Sequence, residues 1–177
     1  MSRRAIPALA ALLALAVVVL DAAEPLRIVP LVRDDQVLVS VDLDQAYTTE
    51  VREAIASGLR TTFTYDVELR MVVPAWVDRT IATLVINTSD EYDNLTRRHT
   101  LTRAIDGRVV ETLVTEDESV VRPWLTSLRR LRLCNTSKLD SSRDYYVRIS
   151  ARSRPSGASI VGWASSITGQ VKFTYIP

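Results

Sequence analysis

From Leu59 to Met71 the chain reads "LRTTFTYDVELRM" and alternates without a break. One side carries Leu59, Thr61, Phe63, Tyr65, Val67, Leu69 and Met71; the other carries Arg60, Thr62, Thr64, Asp66, Glu68 and Arg70. A repeat of two places successive side chains on opposite faces of a strand, so one face meets a core and the other meets water. Such a strand belongs in an antiparallel sheet. The rest of the chain has to complete that sheet. Val37, Val39, Val41 and Leu43 alternate with Ser40 and Asp42, and this run should pair with Leu26–Val32 through a turn around Asp34-Asp35-Gln36. Thr80 to Ile86 is apolar on both faces and reads as a more central strand. Asn94 to Ile105 alternates again, and Asp106-Gly107 is a two-residue hairpin signal leading into Val109–Thr115. Tyr145–Arg154 and Val171–Ile176 supply the last strands, with a loop at Pro155-Ser156-Gly157 between them.

Two segments carry a helical repeat. Thr48 or Thr49 can cap a short helix with Val51 and Ile55 facing inward and Gly58 at its end. The second is expected from about Asp117 or Ser119 to Leu131, with Val120, Val121, Trp124, Leu125, Leu128 and Leu131 as its apolar stripe. Pro123 fits only in a first turn, which favours Ser119 as the cap. The reading is an α+β domain: a curved antiparallel sheet of about seven or eight strands, sandwich-like or a partial barrel, with two helices.

The N-terminus has the three parts of an export signal: Arg3 and Arg4, an apolar run from Ala5 to Leu20, and small residues at Ala22 and Ala23. The run is shorter than the ~20 residues a spanning helix needs. Residues 1–22 are therefore expected to be a signal peptide and residues 23–177 a single α+β domain. An inner-membrane anchor formed by residues 5–20 is the alternative, because Leu20-Asp21-Ala22 departs from the ideal small-x-small triplet. Beyond residue 22 the basic and acidic side chains balance, which argues against a nucleic-acid binder or a polybasic membrane-surface protein. Cys134 is the only cysteine, so the fold rests on its core and cysteine-rich metal sites are excluded.

Catalytic motifs are missing: no GxxxxGK[ST], GxGxxG, HExxH or GxSxG occurs. Gly157-Ala158-Ser159-Ile160-Val161-Gly162 resembles the serine motif but has the wrong spacing. A thiol–imidazole pair would have to join His99 to Cys134, and a buried thiol is the simpler reading of Cys134. The densest polar stretch is Ser89–His99, "SDEYDNLTRRH". Its acids lack the spacing and the glycine of a calcium loop, and Ser89–Asn94 reads as a turn leading into a strand that contains His99. Asp42 and Asp44 at a strand end read as solvated acids. Arg122, Arg129, Arg130 and Arg132 fall in the expected second helix, three of them near its C-terminal end. Arg148, Arg152 and Arg154 share a strand face with Tyr146, and Asp66, Glu68 and Glu111 are available to balance them. No catalytic residue, metal or cofactor is assigned; the ligand-binding candidates are Arg148, Arg152, Tyr146 and Trp124.

Several segments together resemble an uncharacterised family of exported bacterial proteins, domain-of-unknown-function family 4390. They are "AIASGLRTTFTYDVEL", "PAWVDRT", "YDNLTRRHTL", "VVRPWLTSLRRL" and "DYYVRISAR". Gly58, Trp76 with Asp78, and Tyr92 with Leu95 and Thr96 occupy the pattern's marked places, and Tyr92, Leu95 and Thr96 suggest a packed corner. The resemblance implies export and fold, with no activity attached, and makes His99 a packing residue at a place more often aromatic. After Arg154 the chain departs from the pattern, with a compressed "RPSGASIVG". The expected function is a non-enzymatic periplasmic binding or assembly module, with Phe63, Tyr65, Trp76 and Trp124 as core aromatics. The alternative is a carrier of a lipid or other apolar ligand, held between the sheet and the Val120–Leu131 helix. The expected partners are an envelope protein or an apolar small molecule, with no nucleic acid and no membrane contact beyond an uncleaved N-terminal segment.

Overall fold

A computed structural model of the chain describes residues 26–155 and 166–176. The export signal, the loop at Ser156-Gly157 and the serine-motif look-alike lie outside the described residues. Nine strands are described: β1 (Arg27–Arg33), β2 (Gln36–Asp42), β3 (Thr61–Met71), β4 (Arg79–Asp93), β5 (Arg98–Ile105), β6 (Arg108–Thr115), β7 (Ser127–Asn135), β8 (Asp144–Pro155) and β9 (Ser166–Thr174). Two helices join them, α1 (Thr49–Ala56) and α2 (Val121–Thr126). All pairings are antiparallel, in a three-stranded sheet ordered β1-β2-β7 and a six-stranded sheet ordered β6-β5-β4-β3-β8-β9. The α+β expectation holds. The two sheets form a sandwich that does not close into a barrel.

The elements with strictly local signals form where the residues require. In β3 the inward positions Phe63, Tyr65, Val67 and Leu69 are fully buried between β4 and β8, while their neighbours stay partly exposed. The β1–β2 turn places Asp34 and Asp35 at positive φ, and Asp106-Gly107 does the same between β5 and β6. Tight hairpins need this, because both central residues of a type I′ turn are left-handed. Thr48 caps α1 by accepting the Val51 amide, Val51 and Ile55 are its buried residues, and Gly58 ends it at φ 77°. The left-handed φ favours glycine there, and a Cβ, 2.9 Å from Asn94 Nδ2, would also have to push that side chain aside.

Three expectations are overturned. The second helix does not reach Leu131: α2 stops at Thr126 and β7 begins at Ser127. The physical reason is a pair of register shifts where β7 meets β2, with Arg130 at positive φ. Each extra residue displaces the alternation, so Leu128, Leu131 and Cys134 all turn inward at a spacing of three. A twice-bulged strand thus reproduces the apolar spacing of a helix. The helical turn before α2 is capped by Asp117, which accepts the Ser119 amide, and Ser119 is not the cap.

The turn expected at Ser89–Asn94 is also displaced. β4 runs on to Asp93, and the chain reverses over residues 94–97. The Asp93 carboxylate accepts from the Leu95 and Thr96 amides at 2.8 and 3.4 Å and from Thr96 Oγ1 at 2.7 Å, which fixes that reversal. These bonds hold the Asp93 carboxyl below its ordinary range. Finally, neither Trp76 nor Leu95 is a packing residue: they are 82% and 95% exposed, at the tips of the β3–β4 and β4–β5 connections. Tyr92 does pack against the core, while Leu95 and Thr96 form no packed corner.

Candidate functional site

The six-stranded sheet has an inner face against β1, β2, β7 and the helices, and an outer face that no described element covers as a layer. On β8 the inner residues are Tyr145, Val147, Ile149, Ala151 and Ser153, so Tyr146, Arg148, Arg152 and Arg154 fall on the outer face, as the alternation required. Trp124 does not join them. It lies in the core on the inner side, with the Arg103 guanidinium 4.4 Å from its ring centroid and Glu111 bonded to the same arginine at 2.8 Å. Four candidate ligand-binding residues therefore divide between opposite faces.

The outer-face residues differ among themselves. Tyr146 is buried beneath the β3–β4 connection: its hydroxyl donates to Asp78 Oδ2 at 2.8 Å, and the Arg70 guanidinium donates to the Asp78 carbonyl at 3.0 Å. The tyrosine hydroxyl, followed by the Val73 amide, holds the Asp78 carboxyl below its ordinary range. Arg152 donates to Asp66 Oδ2 at 2.8 Å, as the available acids suggested. Arg148 sits opposite Glu68 across the β3–β8 pairing but forms no ion pair among the described residues. It lines a shallow groove of about 470 Å³ with Asp66, Glu68, Thr83, Val85 and Ser150. The groove thus offers one unpaired cation between two carboxylates, with hydroxyls on either side.

The arginines expected on the second helix instead divide between α2 and β7. Arg129 bonds Asp42 with both terminal nitrogens, at 2.9 and 2.7 Å, and Arg122 approaches Asp44 at 3.5 Å. Asp42 is thus a clamped acid holding β2 to β7, and not merely a solvated one.

Sequence reasoning missed one buried polar pair. Asp90 and His99 both lie on the inner face, and His99 Nδ1 is 2.8 Å from Asp90 Oδ2. Tyr92 lies against the imidazole at 4.5 Å between ring centroids. Burial pushes the Asp90 carboxyl up, and the hydrogen bond from His99 opposes that rise. Asp90 Oδ1 is buried with no partner among the described residues. The pair fixes one imidazole tautomer, which in a catalytic triad would orient a base toward a nucleophile. No described hydroxyl or thiol bonds His99, however. Cys134 is buried opposite Val37 in the other sheet, and burial pushes its thiol up, away from reactivity. The signal that could have found the pair is register: a reversal at 94–97 puts Tyr92 opposite His99 and Asp90 diagonal to it. Among the described residues no group of three or more acidic, histidine or cysteine side chains could hold a metal.

The family model for a domain of unknown function (DUF4390) matches residues 23–158. The chain belongs to this family. No curated protein and no solved structure matches it.

Proposed function

We propose that this protein is an exported, non-enzymatic binding or assembly module of the bacterial envelope, and that it recognises a protein partner on the outer face of the six-stranded sheet. The observation that carries this reading is the open face itself. Arg148, Arg152, Asp66 and Glu68 lie side by side on this face along a shallow groove with hydroxyls beside them, while the large apolar side chains of β3 and β8 from Phe63 to Leu69 and from Val147 to Ala151 turn to the other side. Side chains spread along a pleated surface suit recognition of another surface, whereas catalysis asks polar groups to converge on one atom. Export is supported by the basic, apolar and small-residue regions of residues 1–22. No helix among the described residues is long and apolar enough to cross a membrane.

The apolar-carrier reading loses its framework, because its long helix is a six-residue helix followed by a strand. Leu125 and Leu128, which would have lined its cavity, are fully buried in the core. Mild cross-linking of the exported protein, affinity capture and mass spectrometry for proteins and lipids test the proposal. The expected result is an envelope protein captured by the wild type and lost from Arg148→Glu/Arg152→Glu. A stoichiometric lipid, with capture unaffected by the arginine changes, would overturn it.

A further inference from the structure

Four strands end the two sheets, and three of them carry features that discourage further pairing. β1 has Pro30 and a charged residue at each end, Arg27 and Arg33. β7 is bulged twice and carries Arg129, Arg130 and Arg132. β9 has Gly169 and Lys172. Proline, bulges and outward charge are the usual means by which an edge is kept from adding a strand. β6, "RVVETLVT", has neither proline, glycine nor lysine, and although Val110 is bulged, Glu111 to Thr115 pair regularly with β5. Every residue from Arg108 to Val114 is exposed, and these include Val109, Val110, Leu113 and Val114. Its outer edge meets no other strand among the described residues.

From this we infer that β6 is a self-association edge, and that two copies pair their β6 strands antiparallel about a two-fold axis between the two Thr112 residues. The symmetry limits the choices. A two-fold perpendicular to a continuous sheet must pass between a residue and its own copy, because directly opposite residues share a face. Centred on Glu111, the pairing sets two like charges against each other, which is destabilising. Centred on Val110, it sets Leu113 against Gly107; centred on Leu113, it sets Val110 against Glu116. Centred on Thr112, it sets Thr112 against itself and Glu111 against Leu113, and brings the bulged Val110 beside Val114, with no like charges opposed. The same register brings the Arg108 end of each strand alongside Glu116, Asp117 and Glu118 of the other copy. Arg108 forms no ion pair within its own chain among the described residues, and Glu116 bonds Arg98 at 3.0 Å in an exposed pair, a weak kind of bond that leaves the carboxylate open to a second cation. The six-stranded sheets would then continue into one another, with both outer faces on the same side, so that two recognition grooves present to one partner surface.

The test uses the protein as the cell exports it. Sedimentation equilibrium should show a concentration-dependent monomer–dimer system. Val114→Lys should leave only monomer with an unchanged far-ultraviolet circular dichroism spectrum. Arg108→Glu should weaken the dimer at least tenfold, and adding Glu116→Lys should restore it. In a Cys134→Ser background, Thr112→Cys should form a disulfide-linked dimer on mild oxidation, since facing residues place their Cα atoms about 4.5–5.5 Å apart. Thr174→Cys, on the opposite edge, should not. A wild type that stays monomeric from micromolar to millimolar, a dimer that survives Val114→Lys, or equal cross-linking at Thr112 and Thr174 would each overturn the inference.

Discussion

The two halves of the six-stranded sheet are built from similar lengths of chain and do different work. In β3 and β8 one face is sealed by the three-stranded sheet, and Phe63, Tyr65, Leu69, Val147 and Ile149 lose essentially all contact with water. In β5 and β6 the cover runs out: β5 is buried only near His99 and Leu101, and β6 is exposed along almost its whole length. The Tyr65 hydroxyl, donating to the Leu125 carbonyl at 2.6 Å, and Thr88 Oγ1, donating to the same carbonyl at 3.0 Å, tie α2 across the boundary. Burial strongly disfavours ionisation of Tyr65 there. Apolar side chains therefore stabilise one half and remain available in the other. Identical valines and leucines mean different things according to which layer lies above them.

Truncation should break this contrast most visibly. Leu69→Ala in the sealed half should cost about 3–4 kcal/mol, through lost burial and the cavity left behind. Val110→Ala in the open half should stay within about 0.5 kcal/mol for the monomer. Urea unfolding of dilute protein measures both, and similar losses would erase the distinction.

The Asp90–His99 pair sits at the boundary and sharpens it. His99→Phe should cost about 2–4 kcal/mol, because a buried carboxyl then loses its side-chain partner. Asp90→Asn should cost no more than about 1 kcal/mol, since the amide oxygen can still accept from Nδ1. The pH dependence has a definite sign. The Asp90 carboxyl is raised in the folded protein above its ordinary 3.8. Its contribution is therefore complete below 3.8 and is lost as pH rises through the raised folded value. Asp78 and Asp93, held low, act in the opposite direction: their contributions are present above 3.8 and are lost as pH falls. Thermal melts across the acid range should therefore show Asp90→Asn gaining on the wild type as pH rises. A constant difference would mean that Asp90 does not titrate as a buried group.

The smallest expected effect separates two glycines. Gly58→Ala should cost about 1–2 kcal/mol, for a left-handed φ together with a clash at Asn94. Gly107→Ala, at φ 79° with nothing within 4 Å, should cost about 1 kcal/mol, from backbone strain alone. Equal losses in urea unfolding would remove the Asn94 contact from the account.

How far the fold could be read from residues follows the same divide. β3, both tight hairpin turns and α1 were legible because a period of two, left-handed turn residues and a threonine cap act within a few residues of each other. β7 was not legible: its two bulges space Leu128, Leu131 and Cys134 like one side of a helix, and a bulge depends on the partner strand β2. The turn was placed too early because Ser89 and Asp90 are polar, yet both are buried in β4. Their burial depends on residues distant in sequence: β5 pairs beside both, Arg60 reaches Ser89 and His99 reaches Asp90. The expectation of a packed corner at Leu95 comes from the family pattern and that of a core Trp76 from its aromatic character, and neither says that a loop tip faces water. Of the candidate site, the shared face of Tyr146, Arg148 and Arg152 followed from alternation. Trp124 on the opposite side, and Tyr146 sealed by Asp78, depended on tertiary placement.

The most direct test of the division into a sealed half and an edge open to self-association is amide hydrogen exchange, read strand by strand at low and high protein concentration. Strong protection is expected in β3 and β8 at every concentration. In β6 protection should be weak when dilute and rise with concentration. Protection in β6 equal to that in β3 at high dilution, or independent of concentration throughout, would contradict that division.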